Sequence, residues 1–493
     1  MPTFHKFYLL ILFVFSNLFY SYVWIDGKEE FKIKKLEYFA VLNDININTT
    51  SYPVSIRQLD SPNYFGPVTI GEMIEYKLLI KKNFIKKDNL VKLTSFSDTS
   101  PIRNIDDDWV SKTSLSVQKS ISSNNFSVNL NVSIVEDSFD QKKYFFDGSN
   151  ISVAMGNNAL GFGYLNRWWG PTHNNNLILS NYSRPSPGVY IKSLESFTFD
   201  NFFSFLGNLD YEIFINRLDK DRHIKNPFLI GTRVSINPLR NLQVSFSRTL
   251  TIGGEGRKEN LTTLYKAFFG AFELADNPGA AGSTSEYNYS NQLAGFDIKY
   301  DFLIKDVLAS FYVQEIAEDA DQSPTSPFSG YIITFGSELK YEVNGLLRAF
   351  IVEFTRTIAD RHNSYIIEGK SKGRNIAYEH HIYKSGYRYR GLPIGAFIDT
   401  DSKYSQISYL REIRENQILK TDFFYAEPNT DADGRNIWGS HGDPFYGIKT
   451  KYKLKISNNL STSFVLTVSD KKLNYLDKSL NKNILGFIAE YNF

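Results

Sequence analysis

The chain has 493 residues, enough for two or three ordinary domains or one large β architecture. A formal net charge of +2 gives no global field to attract nucleic acid, and a mean hydropathy of −0.30 is too polar for a bundle of membrane helices. Cysteine is absent, which removes disulfides, thiolate catalysis and cysteine-based metal sites together. Aromatic residues are the outlier at 15%, led by Phe and Tyr, whereas the frequent Asn, Lys and Ile read as base composition and their Asn-X-Ser/Thr triplets are discounted.

Residues 1–21 read as a signal peptide. Lys6 precedes an apolar core, Phe7 to Phe15, of secretory length, with cleavage after Ser16 or Ser21. The alternative is an uncleaved anchor reaching Trp24. No later stretch is apolar for the roughly 18 residues that a transmembrane helix needs.

Residues 28–100 read as a small helical region. Leu36 to Leu42 suits a short helix, and Tyr52-Pro53 interrupts the chain. Thr69-Ile70-Gly71-Glu72 forms a capping box, in which the hydroxyl takes a free amide and the carboxylate reaches back. Ile70, Met73, Ile74 and Leu78 then recur at helical spacing, and the basic run Lys81 to Lys87 reads as a solvated helix end.

From about residue 107 the period changes to two, so residues 101–493 are assigned to a barrel. Phe126, Val128, Leu130, Val132 and Ile134 alternate with Ser and Asn; Phe296, Ile298, Tyr300 and Phe302 alternate with Asp297, Lys299 and Asp301. Leu242, Val244 and Phe246 repeat the pattern, as do Phe464, Leu466 and Val468. A sandwich also alternates, but a membrane barrel turns the apolar face to lipid and the polar face to its lumen. The chain ends Leu485, Phe487, Ala489, Tyr491, Phe493 at every second position, like the C-terminal signal of bacterial outer-membrane barrels. About 390 residues, at roughly 10 per strand plus turns, give about 16 to 20 strands. Wall side chains alone cannot fill so wide a lumen, which makes the helical region the candidate plug.

Arg167-Trp168-Trp169-Gly170-Pro171, preceded by Gly163-Tyr164-Leu165-Asn166 and followed by Leu177-Ile178-Leu179-Ser180-Asn181 and Arg184-Pro185-Ser186-Pro187-Gly188, closely resembles the signature of the capsule assembly protein Wzi family. Further pieces follow in order: Arg217-Leu218-Asp219, Gly231-Thr232-Arg233, Gly253-Gly254-Glu255-Gly256-Arg257, Tyr378-Glu379-His380-His381 and Gly386-Tyr387-Arg388-Tyr389-Arg390-Gly391. After Gly395 the family often has histidine, and Ala396 here leaves any role of that side chain in doubt. The resemblance implies an all-β transmembrane barrel of about 18 antiparallel strands with a small N-terminal α-helical plug, in the bacterial outer membrane. It also implies a lectin that holds or assembles capsular or exopolysaccharide and performs no catalysis. The partners expected are surface polysaccharide, outer-membrane lipid and the barrel-insertion machinery; no nucleic acid, cofactor or metal is expected.

Sugar recognition needs flat aromatic faces and planar donors for acid groups. Arg167, Trp168, Trp169 and Arg184 have that chemistry, as do Tyr387, Arg388, Tyr389 and Arg390, and these eight are the candidate polysaccharide-binding residues; their donors favour an anionic polymer. The bland reading of the Trp pair is a secured bend, one ring to the lipid interface or wall and one to the plug. That of the Tyr-Arg repeat is a barrel strand with tyrosines outward and arginines in the lumen. Gly253 to Gly256 lacks the lysine of a phosphate loop and reads as a turn. Asn429 to Gly434 imitates a calcium loop, but Ser440 stands where Glu is needed. Adjacent His380 and His381 on a regular strand cannot share one metal. Glu315, Glu318, Asp319 and Asp321 read as an acidic loop. Two rival functions stay open: a porin or polysaccharide export channel, and an envelope glycosidase or lyase.

Overall fold

A strand with one greasy face needs neighbours on both sides before its backbone can sit in lipid, and only a closed ring supplies them. The computed structural model describes residues 24–60, 63–64, 70–84, 89–107, 111–123, 125–200, 202–269, 290–320, 328–360, 375–431, 435–439 and 442–493. Among the described residues, eighteen antiparallel strands close into one ring. In chain order they are β1 Asn89–Phe96, β2 Thr113–Ser122, β3 Phe126–Glu136, β4 Asn150–Met155, β5 Asn158–Gly163 and β6 Gly188–Ser193. Then come β7 Asn208–Arg217, β8 Phe228–Leu239, β9 Leu242–Ile252, β10 Ser290–Ile304, β11 Val307–Ala320 and β12 Phe328–Val343. The ring is completed by β13 Leu346–Asp360, β14 Lys403–Arg414, β15 Gln417–Glu427, β16 Phe445–Lys455, β17 Leu460–Ser469 and β18 Asn483–Asn492. The last strand pairs with the first from Gly486 opposite Phe96 to Asn492 opposite Leu90, and the Phe493 amide donates to the Asn89 carbonyl at 3.1 Å.

The alternation sorts each wall residue. Phe246, Phe335, Phe423 and Phe464 face outward and are more than half exposed, while Ser245, Gln314, Thr334 and Lys340 face the lumen and are fully buried. Register adds a second device: glycines sit directly opposite aromatics, Gly161 to Tyr190, Gly231 to Phe214 and Gly336 to Tyr312. A Cβ on Gly336 would lie 2.4 Å from the Tyr312 ring, so the ring occupies the side-chain space that glycine leaves open.

One end of the barrel has tight polar turns, such as Lys305-Asp306 between β10 and β11 and Asn344-Gly345 between β12 and β13; the other has long connections, such as 164–187. Short turns mark the periplasmic end of such barrels and long loops the outside. Helix α1, Glu30–Leu42, lies in the lumen near the short-turn end, where Tyr38 donates to the Asp306 carbonyl at 2.8 Å. With α2, Ile56–Asp60, and α3, Ile70–Phe84, it builds a small core of Ile33, Leu36, Ala40, Leu59, Tyr76 and Ile80.

Three readings change. The helix expected from Leu36 starts earlier, at Glu30. In α3 the buried stripe is Tyr76 and Ile80, whereas the expected Ile74 and Leu78 are 55% and 59% exposed. Strand β1 falls inside the stretch 28–100 expected to be helical: its adjacent apolar Leu90 and Val91 spoil the alternation, so only pairing with β18 and β2 reveals it. The signal segment, Thr69 of the capping box, Lys86 and Lys87 lie outside the described residues.

Candidate functional site

The lumen is filled from both ends, and buried charges decide how. A charge in a dry lumen is costly unless it is paired or fully hydrogen-bonded, so wall charges meet opposite charges or, like Glu353 of β13, collect amide and hydroxyl donors. Glu37 of α1 lies 2.7 Å from Lys299 of β10 and 2.6 Å from Lys340 of β12. Glu30 lies 2.7 Å from Lys420 of β15, and Lys34 pairs with Glu338 of β12. Burial alone would raise both α1 carboxyls. Lys299 and Lys340 instead hold Glu37 well below the usual range, and Lys420 and Lys34 bring Glu30 down to about 2. Arg233 of β8 reaches Asp297 of β10 with both terminal nitrogens, at 2.6 and 3.0 Å, and donates to the Thr50 carbonyl at 2.9 Å.

From the long-loop end, segment 164–187 folds inward and meets the N-terminal region. Trp168 and Trp169 pair as a two-residue strand with Tyr52 and Ser51. Opposite-facing neighbours then split the two rings. Trp168 joins the core of the N-terminal helices and donates its indole N–H to the Thr172 carbonyl at 2.9 Å. Trp169 packs 5.4 Å from Phe214 of β7 and donates to Glu212 at 3.2 Å. Gly170 follows at φ +149, where a side chain would collide with the Gln314 amide. Arg167 lies 2.6 Å from Glu212, which also holds Lys192 at 3.0 Å.

The second candidate cluster is not on a barrel strand. Arg388–Tyr389 pairs with Leu392–Pro393 inside the connection between β13 and β14, which also folds inward. Tyr387 donates to the Ile178 carbonyl at 2.8 Å, tying one infolded connection to the other. Arg388 lies 2.7 Å from Asp399 and 2.5 Å from Glu379. Burial opposes its charge, but the two carboxylates overcome this and raise its already high pKa. Burial pushes the Tyr389 phenol up to about 12.

Asp140, in the connection between β3 and β4, joins the clusters. It lies 3.2 Å from Arg184 Nε and 3.3 Å from Arg390 Nη1, and Arg184 also pairs with Asp147. Burial brings the Arg184 guanidinium down to about 10 against the pull of Asp147 and Asp140. Arg167, Arg184 and Tyr389 line one cavity of about 30 Å³, room for little more than water. Seven of the eight candidates are buried; Arg390 alone is partly exposed, its guanidinium 5.2 Å from the Tyr389 ring. Exposed Lys142, Lys143 and Tyr144 lie on the same connection as Asp140.

The acidic partners Asp140, Asp147, Glu212, Glu379 and Asp399 were missed, because a carboxylate signals its role only once its distant cation is placed. Among the set-aside motifs, His380 Nδ1 accepts the amides of Ile382 and Tyr383 at 3.1 and 2.9 Å, a turn. Gly253, Gly254 and Gly256 all have positive φ, also a turn. Asp321, residues 432–434 and Ser440 lie outside the described residues, as does the side chain of Asp319.

A family model for the capsule assembly protein Wzi matches residues 86–484. An uncharacterised 55.8 kDa protein from the cps region of Klebsiella pneumoniae is 29% identical over 177 residues, 35% of this chain; the match spans only 33% of that relative. Among solved structures, Wzi of Escherichia coli, described as a carbohydrate-binding outer-membrane β-barrel involved in group 1 capsule assembly, superposes with a TM-score of 0.77. That match covers 96% of this chain and 99% of the other at 21% identity. With the family model running from before the first strand into the last, and the ring of strands, inner helices and lipid-facing wall in place, the chain belongs to the capsule assembly protein Wzi family of outer-membrane β-barrels.

Proposed function

We propose that the protein is an outer-membrane lectin that binds exported capsular or exopolysaccharide and supports its assembly or attachment at the cell surface, without catalysing a reaction on it. The observation that carries this reading is family membership joined to a lumen packed from both ends. Among the described residues, the Glu37, Arg233 and Trp169 layers fill the lumen, so the work falls to the outer face. The residues that read as a sugar site from sequence, Arg167, Trp168, Trp169, Arg184, Tyr387, Arg388 and Tyr389, position the loops in this account. Contact with the polymer falls to Arg390 with Lys142, Lys143 and Tyr144, whose charges suit an acidic polysaccharide.

The test is polysaccharide retention in cells lacking the protein. The reading expects polymer to be exported but shed into the medium, and Arg390→Ala to restore attachment only partly. Polymer accumulating inside the cell would instead favour an export channel.

A further inference from the structure

The connection between β6 and β7 departs from the other turns at its end of the barrel. It runs from Leu194 to Gly207 and contains Phe197, Phe199, Phe202, Phe203 and Phe205, with Glu195 and Asp200 its charged residues and no lysine or arginine. Phe202 is 83% exposed and Phe205 58%. Their rings gather on one another, Phe202 lying 5.5 Å from Phe203 and 6.0 Å from Phe205, on a 3₁₀ turn of Phe202–Leu206. A single exposed phenyl ring is ordinary; a cluster of them marks a surface that is covered where the protein works.

The backbone says what covers it. The amides of Phe197 and Leu209 each donate to the other's carbonyl at 2.8 Å, so the segment folds back along β7. The Phe197 ring stacks on Tyr211 at 5.9 Å and 27°. Tyr211 alternates with lumen-facing Asp210 and Glu212 and therefore stands on the outer face of the wall, in line with Ile213 and Ile215. Beyond it the 3₁₀ turn lies beside the end of β8, where Leu239 is 59% exposed. The Phe surface thus continues the apolar band by which the barrel meets lipid. Its acidic charges would repel anionic headgroups, which leaves burial of the rings as the attraction.

We propose that the Phe197–Phe205 turn is a membrane anchor, its phenyl rings packed among the acyl chains of the periplasmic leaflet outside the barrel wall. This role is independent of polysaccharide binding.

The absence of cysteine makes the test clean, because one introduced thiol takes the only label. Full-length Phe202→Cys carrying an environment-sensitive fluorophore is reconstituted into phosphatidylethanolamine–phosphatidylglycerol vesicles. Phe335→Cys serves as the lipid-facing reference and Asn344→Cys as the aqueous-turn reference. Phe205→Cys provides a second position should the first variant fail to fold. The proposal expects emission at 202 shifted to the blue and quenched by brominated phospholipid, as at 335. Emission like that at 344, quenched by aqueous iodide, overturns it. Shielding seen only in native outer membranes also overturns it, in favour of a protein partner.

Discussion

Glu37 of the inner helix and Lys340 of the barrel wall meet at 2.6 Å, and both are buried. The contact joins residues far apart in sequence and, with Glu30–Lys420 and Lys34–Glu338, locks the inner helix to the wall. Glu37→Gln leaves Lys340 with Glu338 at 3.1 Å and Lys299 with Asp301 at 3.7 Å, poorer matches for two buried ammonium groups. Breaking a buried pair of this kind costs about 3 kcal/mol. Tryptic cleavage at Lys32, Lys34 or Lys35 is expected to speed up in the variant while the barrel itself stays folded.

Acid should release the same helix. The Glu30 carboxyl sits at about 2 in the folded protein against an ordinary 4.5, held down by Lys420 and Lys34 against burial. A folded value below the unfolded one means that stabilisation is complete above pH 4.5 and is lost as pH falls toward 2. The amount is roughly 3 kcal/mol. An acid titration followed by a brief trypsin pulse at neutral pH, too short for re-docking, should show α1 exposed only after exposure below pH 4.5.

Glu212 should matter more than either cation that it holds. Arg167→Ala leaves the carboxylate with Lys192 at 3.0 Å and the Trp169 indole at 3.2 Å, a loss of about 2 kcal/mol. Glu212→Ala leaves Arg167 and Lys192 buried without a counter-charge, at a cost of roughly 3–5 kcal/mol. The temperature at which the folded barrel loses its fast gel mobility should fall further for Glu212→Ala. The reverse order would contradict the pairing.

Gly336→Ala probes the glycine–aromatic register. The added methyl would sit 2.4 Å from the Tyr312 ring, whose hydroxyl donates to Glu353 at 2.9 Å. Glu353 in turn accepts the amides of His173, Asn174 and Asn175. Overpacking here should cost about 1–3 kcal/mol. Faster proteolysis within 164–187 should accompany the lower melting temperature.

The barrel was legible because alternation is local: Phe126 to Ile134 and the terminal Leu485 to Phe493 state their faces residue by residue. The family was legible from the ordered motifs around Arg167 and Arg388. The placement of those motifs was not. Arg167 and Glu212, or Arg184 and Asp140, are adjacent only after a loop folds back through the lumen, and no spacing rule encodes that return. The α3 face was misread for a different reason. Apolar residues at Ile70, Met73, Ile74, Tyr76, Leu78, Leu79 and Ile80 nearly surround the helix, so the periodicity offers more than one stripe. The Phe-rich turn carries no period at all, and its meaning comes from the wall against which it lies.

The most direct measurement is binding of the purified, detergent-solubilised protein to surface polysaccharide from its own source cell, with bilayer conductance recorded on the same preparation. Saturable binding, weakened in folded Arg390→Ala, is expected, with little conductance through the packed lumen. Absence of binding together with open-pore conductance would contradict the lectin reading and assign the barrel to transport.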